Sequence, residues 1–411
     1  MKVVLTTVGS RGDVQPFLAL AQALRAAGHN VILGAPPNFK GWIETYGIPY
    51  VSCGIDVQAF LTQHGTDTTS LAAVRRNMGM LRDSLEPNTA VLMDVAKGAD
   101  LVVVGALQLM GSTVAEALRL PTRYVAYCPQ LIASRQHPPI AWSSQTLPGW
   151  LNALGWRFNG AVWNYFLRDP LNAIRKRLGV APIGDMWSYA ASAGMLVASD
   201  PALGPLPPEA LPTTEQVGSF FLPNESPLDS ALETFLRQGP PPVYIGFGSM
   251  TDLAPAATST LAVQAAREAG CRLVLARGWA GLDAGSDTNA ITVGDVPHPQ
   301  LFPRLAAVVH HGGAGTTAEV ARAGVPQVIV PHLLDQHYWG HRIERLGVGP
   351  AQILRKHLTP RRLAEALARC VRDEAMRGRA RDLATRMHTD GLARAVRALE
   401  AAAAQQRRET A

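Results

Sequence analysis

The stretch from Ala306 to Gln336, AAVVHHGGAGTTAEVARAGVPQVIVPHLLDQ, sets the tightest limit on how this chain can fold. It reads as a buried strand, a glycine-bearing turn, a short helix and a second strand. The glycines let backbone N–H groups approach an anion, and the helix that follows adds the positive end of its dipole, so the turn is a place to hold phosphate. Thr316 and Thr317 supply hydroxyl donors beside it. Glycine and threonine would equally serve a tight strand-to-helix turn with a threonine cap. The adjacent His310 and His311, and Asp335 with Gln336 downstream, are harder to assign to packing.

The same alternation recurs along the chain. Lys2 to Thr7 reads as a strand, Val8 to Asp13 as a loop, Val14 to Ala27 as a helix with Pro16 near its start and Gly28 at its end, and Val31 to Gly34 as a strand. Leu101 to Val104, Arg123 to Ala126 and Met195 to Ala198 continue the strands, with a helix at Ser112 to Leu118. Ten of the 30 prolines lie between Pro201 and Pro242, a density that breaks regular structure. The alternation restarts with Val243 to Gly246, Pro255 to Ala269 and Arg272 to Ala276. The expected fold class is α/β, with two Rossmann-like, doubly wound domains. The expected boundaries are an N-terminal domain at 1–222, a linker at 223–240, a C-terminal domain at 241–388 and a terminal helix at 389–411, for which packing back on the N-terminal domain is left open.

Length agrees with two domains, since 411 residues of which 47% are hydrophobic exceed one ordinary core. The formal charge of +6 suggests an anionic partner, but the arginines are scattered and interleave with no aromatic pattern, which argues against nucleic acid. Cys53, Cys128, Cys271 and Cys370 form no CxxC pair, so neither a zinc site nor a disulfide framework is expected, and a reducing cytoplasm fits best. No apolar run approaches the roughly 20 residues of a spanning helix, so no integral membrane segment is expected and a peripheral contact is left open.

Read together, HHGGAGTT followed by GVPQVIVPHLLDQ, GSRGDVQP at Gly9 to Pro16 and GFGSM at Gly246 to Met250 carry a resemblance. The chain resembles the nucleotide-sugar-dependent glycosyltransferases of the sterol-glucosyltransferase and glycopeptide-glycosyltransferase type. The resemblance implies the GT-B fold, in which an acceptor-binding N-terminal domain and a nucleotide-sugar-binding C-terminal domain face each other across a cleft, and glycoside formation with inversion. It puts His311 and Thr316, with Gly313 and Gly315 of the turn, on the donor diphosphate, and Ser249 against it from the GFGSM loop. Asp335 and Gln336 then bind sugar hydroxyls, and Glu319 matches a ribose-binding glutamate of plant relatives. Those relatives carry a base-stacking tryptophan where this chain has Asp295-Val296-Pro297-His298. The departure leaves uracil and thymine open, with Trp279 and the Val296 backbone as the base contacts.

By its position alone Asp13 is either a helix-capping residue or a carboxylate at the carboxyl edge of a sheet, where ligands of open α/β folds collect. The resemblance makes it the catalytic base, in the place where many relatives carry a histidine, with Ser10 supporting the loop and contacting donor or acceptor. With an ordinary pKa near 3.9 such a base would take the proton late.

Trp142, Trp150, Trp156 and Trp163 crowd together with Phe158, Tyr165 and Phe166. Either Trp150 to Leu167 is an amphipathic helix with a core face, or part of that surface lines an acceptor pocket, with Trp142 and Phe158 as contacts. His332, Asp335, His337 and His341 have the spacing of a metal cluster, but the resemblance implies none, and no cofactor beyond the donor. His29, His64 and His137 read as loop or surface residues. The expected activity is transfer of a hexose from UDP-glucose, or else a dTDP-sugar, to a hydroxyl of a hydrophobic molecule such as a sterol, polyketide or flavonoid. The alternatives are a sugar-nucleotide epimerase of the same fold and a non-catalytic donor-binding protein.

Overall fold

The computed structural model describes residues 1–65, 70–140, 142–192 and 194–410. Two parallel sheets organise it. The larger is built from β1 (Lys2–Val8), β2 (Asn30–Ala35), β3 (Tyr50–Ser52), β4 (Leu101–Ala106), β5 (Thr122–Ala126), β6 (Met195–Val197) and β7 (Thr214–Gln216), in the order β3-β2-β1-β4-β5-β6-β7. The smaller takes β8 (Val243–Ile245), β9 (Leu273–Ala276), β10 (Ala290–Val293), β11 (Ala307–His310) and β12 (Gln327–Ile329), in the order β10-β9-β8-β11-β12. The central strands β1, β8 and β11 are short apolar runs buried on both faces, as a sheet covered by helices on each side requires.

In each sheet the strand order reverses once, between β1 and β4 and between β8 and β11. Loops leaving adjacent strands at such a switch point diverge to opposite faces and open a crevice at the carboxyl ends. The Gly9–Asp13 segment follows β1, while GFGSM and HHGGAGTT follow β8 and β11. The topology therefore brings GFGSM and HHGGAGTT together in the C-terminal sheet and sets the Gly9–Asp13 segment at the switch point of the N-terminal one.

Three boundaries differ from the sequence expectation. The loop after β1 is only Gly9 and Ser10, because the Ser10 and Asp13 side chains bond each other's backbone N–H groups in a capping box and start the helix at Arg11. The span expected as linker contains a helix, Ser230–Arg237, capped by Asp229, whose Leu232, Phe235 and Leu236 join the C-terminal core; four-residue spacing of apolar side chains outweighs the flanking prolines. The aromatic helix runs Gly149–Trp163, then passes through a π-helical turn at Asn164–Arg168 into Asp169–Arg177.

The last helix, Gly391–Thr410, starts beyond the C-terminal core and lays Ala395, Val396 and Leu399 into the N-terminal core beside Phe17 and Leu24. Asp200, fully buried, accepts from the His388 N–H at 2.7 Å and fixes the crossing point. Between the domains Cys128 and Leu203 pack with Tyr338, Trp339 and Ile343. No helix among the described residues is long and apolar enough to cross a membrane.

Candidate active site

Asp13 owes its position to the capping box. Its Oδ2 accepts from the Ser10 N–H at 2.7 Å and the Ser10 hydroxyl at 3.3 Å, and no hydrogen bond to Oδ1 is present among the described residues. A Cβ on Gly9, whose φ is +153°, would lie 2.1 Å from Asp13 Oδ2, so the carboxylate folds over a backbone that only glycine leaves clear. Tyr127 donates to the Asp13 carbonyl at 2.8 Å from beneath. Burial pushes the Asp13 pKa up to about 7, opposed by the Ser10 backbone bond and reinforced by the negative charge of Asp335. The expectation of an ordinary carboxylate pKa is thus corrected: the capping residue and the perturbed acid are the same group.

Across the cleft the helix Ala314–Arg322 begins at Gly313 with no side-chain cap. The N–H groups of its first turn have no intrahelical acceptor and point out of the helix. A Cβ on Gly313 would stand 2.5 Å from His311 Nε2, and one on Gly248 would stand 3.3 Å from His311 Cε1. The His311 ring is thereby wedged between the cradle turn and the GFGSM loop. It is 9% exposed, its Nδ1 is buried with no partner, and desolvation lowers its pKa well below the usual histidine value, so it is neutral. A neutral imidazole with Nε2 at a helix N-terminus can donate one hydrogen bond to an anion held there. Ser249 follows Gly248 in the GFGSM loop and Thr316 lies in the first turn of the helix, and neither hydroxyl makes a hydrogen bond among the described residues.

His310 does a different job. It is fully buried, pairs with Gln327 at 2.9 Å and accepts from the Gly312 N–H at 3.0 Å, which sets the turn. Thr317 is also buried and donates to the Gly313 carbonyl at 2.9 Å. Its expected part as an anion donor is therefore corrected to a helix-start fastener.

Asp335 and Gln336 open the helix Gln336–Leu346. Trp339 Nε1 donates to Asp335 Oδ2 at 3.1 Å, and burial pushes the Asp335 pKa up to about 6. Gln336 is buried, with Oε1 accepting from the His332 and Leu333 N–H groups at 2.7 and 3.0 Å and Nε2 directed to Met250 Sδ at 3.5 Å.

The residues expected at the nucleoside are spread out. Trp279 stacks on Phe39 of the N-terminal domain, centroids 6.2 Å apart and 24° from parallel, so one face of the indole is covered. Val296 lies in the turn after β10 beside Asp295, which forms an interdomain ion pair with Arg11 at 2.7 Å. Glu319 is buried and its carboxylate accepts from Arg322 at 2.6 Å. His332, expected in a metal spacing, bonds the Val330 carbonyl, and among the described residues no three His, Cys, Asp or Glu side chains gather in a metal-sized group.

Asp13 opens onto a cavity of about 1140 Å³. Its lining includes Phe60, Val74, Leu81, Trp163, Phe166 and Trp187, with Trp142 and Phe158 among them. The helix Gly149–Trp163 has two faces: Trp156 is core, 7% exposed, while Phe158 is 64% exposed at the cavity. Sequence reasoning missed most of this wall, because Ile55, Met78, Leu107 and Met186 belong to separate elements and carry no local signal. It also missed Met250, Leu333 and Leu334, which the C-terminal domain contributes. His137 is corrected as well: it is buried at the domain junction, between Trp156 and Tyr338.

Comparison with known proteins identifies the family and the fold. Residues 3–134 match the glycosyltransferase family 28 N-terminal domain, and residues 283–399 match the C-terminal domain of the erythromycin biosynthesis protein CIII-like family. The chain is 37% identical to the vancomycin aglycone glucosyltransferase of Amycolatopsis orientalis over 97% of each chain. It is 32% identical to a sterol 3-beta-glucosyltransferase of Arabidopsis thaliana over 96% of this chain and 67% of that one. Its fold superposes on the glycosyltransferase VinC, solved in complex with dTDP, with a TM-score of 0.69 at 23% identity, covering 98% of this chain and all of the other. Two switch-point crevices facing each other, the three motif blocks within them and full-length relatives of this kind lead to one conclusion: the chain belongs to the glycosyltransferase family 28 and CIII-like group and is a glycosyltransferase of the GT-B fold.

Proposed function

We propose that the chain transfers a hexose, with inversion, from UDP or dTDP to a hydroxyl of a neutral, largely apolar molecule. One observation carries the reading: Asp13, with its Oδ1 unengaged, lines an apolar cavity on one side of a cleft whose other side is an uncapped helix N-terminus. An acceptor hydroxyl in the cavity gives its proton to Asp13 as its oxygen attacks the anomeric carbon. The bond from that carbon to the diphosphate breaks on the opposite face, and the electron pair leaves with the nucleotide. A base of pKa about 7 is better matched to a neutral medium than an ordinary carboxylate, yet it stays far below an alcohol, so the proton moves as the C–O bond forms.

The charge of the leaving diphosphate falls on the first-turn N–H groups of the helix Ala314–Arg322, on His311 and on the Ser249 and Thr316 hydroxyls, and this arrangement requires no metal. Asp335 and Gln336 hold the sugar, and Trp279, Val296 and Glu319 form the nucleoside side after Trp279 separates from Phe39. Both bases stay within the reading, since a protein of the same fold was solved with dTDP and the sequence relatives named above are glucosyltransferases. The cavity exceeds the usual ~300–1,000 Å³ of a small-molecule pocket, and its aromatic and aliphatic wall favours a sterol-like or polyketide acceptor over a peptide. An epimerase would have no use for it.

The test incubates the protein with UDP-glucose or dTDP-glucose, with and without a panel containing a sterol, a macrolactone and a flavonol, and follows sugar and nucleotide by mass. Acceptor-dependent nucleotide release with a glycoside product is the expected result. An isomerised donor without acceptor would establish the epimerase instead, and binding of donor with no chemistry in any pairing would sink transfer.

A further inference from the structure

The loop from Pro331 to Gln336 faces both halves of the site. Leu333 and Leu334 line the apolar cavity, whereas the next two residues are the proposed sugar contacts Asp335 and Gln336. Leu334 has φ +50°, in the left-handed region that a leucine enters only against its own side chain. Such a conformation persists where the surroundings over-determine it. Here Gln336 supplies part of that constraint, folding back so that its Oε1 accepts from the His332 and Leu333 N–H groups while its Nε2 reaches Met250 Sδ. Met250 is itself in the cavity wall. Every contribution of the C-terminal domain to that wall is therefore a cavity-facing residue of this loop or a residue bonded to it.

We propose that Leu334 is a positioning residue that couples the two substrates: an apolar acceptor packed on its side chain holds the left-handed turn, and the turn aims Asp335 and Gln336 at the donor sugar. The proposal rests on the glycosyltransferase reading above. By linkage, an acceptor that stabilises the turn tightens the nucleotide sugar by the same factor by which the sugar tightens the acceptor. A nucleotide diphosphate without the sugar does not engage Asp335 or Gln336 and should not respond.

The experiment measures dissociation constants of UDP-glucose, dTDP-glucose, UDP and dTDP for the full chain by calorimetry, without and with saturating 1-methoxynaphthalene, an apolar probe that has no hydroxyl to glycosylate. The probe should tighten at least one nucleotide sugar by about five- to tenfold and leave the matching diphosphate within twofold. In Leu334→Ala, and in Leu334→Gly, which accepts the φ of +50° without a side chain, the factor should fall to about one, while Leu334→Met should restore it. A factor retained in both Leu334→Ala and Leu334→Gly, or a factor of one in the unmodified chain that still binds nucleotide sugar, overturns the coupling alone. No binding of either nucleotide sugar overturns the donor site and the coupling together.

Discussion

The two walls of the cleft are made by opposite means. The wall proposed for the donor is centred on one turn in which backbone amides, a neutral histidine and a helix end meet, closed from the side by the GFGSM loop, and its shape lies in glycine positions. The wall proposed for the acceptor collects side chains from at least six separate elements of the N-terminal domain and three residues of the other. A wall built from backbone recognises what is common to all donors, the diphosphate. A wall built from dispersed side chains can change its shape one residue at a time, and acceptor choice can vary without disturbing the chemistry.

That contrast can be broken by substitution. Asp13→Asn should cut turnover by about 10²–10⁴-fold, the range of a general base, while leaving donor binding in place; near-normal turnover, read in a steady-state assay, would remove Asp13 from the base role. His311→Ala should lower kcat by about 10²–10³-fold through lost stabilisation of the leaving group, and the same loss with every acceptor is what a backbone-type wall requires. Phe158→Ala should instead raise the acceptor KM by about tenfold and leave the donor KM alone. If the effect fell on the donor, the division between the walls would not hold.

Protonation sharpens the comparison, because Asp13 and Asp335 stand on opposite walls and interact. As Asp13 must be ionised to accept a proton, kcat/KM should fall as the pH drops below about 7. Asp335→Asn removes the negative charge that helps to raise the Asp13 pKa, and the acid limb of the profile should move to lower pH; a limb that stays put would mean the carboxylates do not sense each other. The smallest effect is on stability. The folded-state pKa of Asp13 lies above its unfolded value near 3.8, so the folded state prefers the protonated acid, and stability declines as pH rises from about 4 to about 7. Asp13→Asn keeps an acceptor for the Ser10 N–H and removes this penalty. Its melting temperature should exceed that of the unmodified chain at pH 8 and match it at pH 4; a gain of ~1 kcal/mol would appear as about 2–4 °C.

Much of this molecule was legible in its residues. Short apolar runs separated by helical periods dictate parallel strands, since only a crossover can connect them, and glycine at a strand's end dictates a turn with exposed amides. The HHGGAGTT, GFGSM and GSRGDVQP blocks could be located for the same reason: their chemistry depends on local backbone geometry, which neighbouring residues set. What the sequence could not distinguish were the members of such a block. His310 and His311 are adjacent and identical in kind, yet one is a buried fastener for the turn and the other faces the cradle, because successive residues at a strand end point to opposite sides.

Only the tertiary structure decided the Asp13 pKa, the cover over Trp279 and the size of the apolar cavity. Each depends on groups distant in the chain: Asp335 lies more than 300 residues from the carboxylate it perturbs, Phe39 reaches Trp279 from the other domain, and Leu334 closes a wall begun at Val8. Desolvation and charge–charge interaction depend on distance in space, and the sequence fixes that distance only after both domains have folded and met.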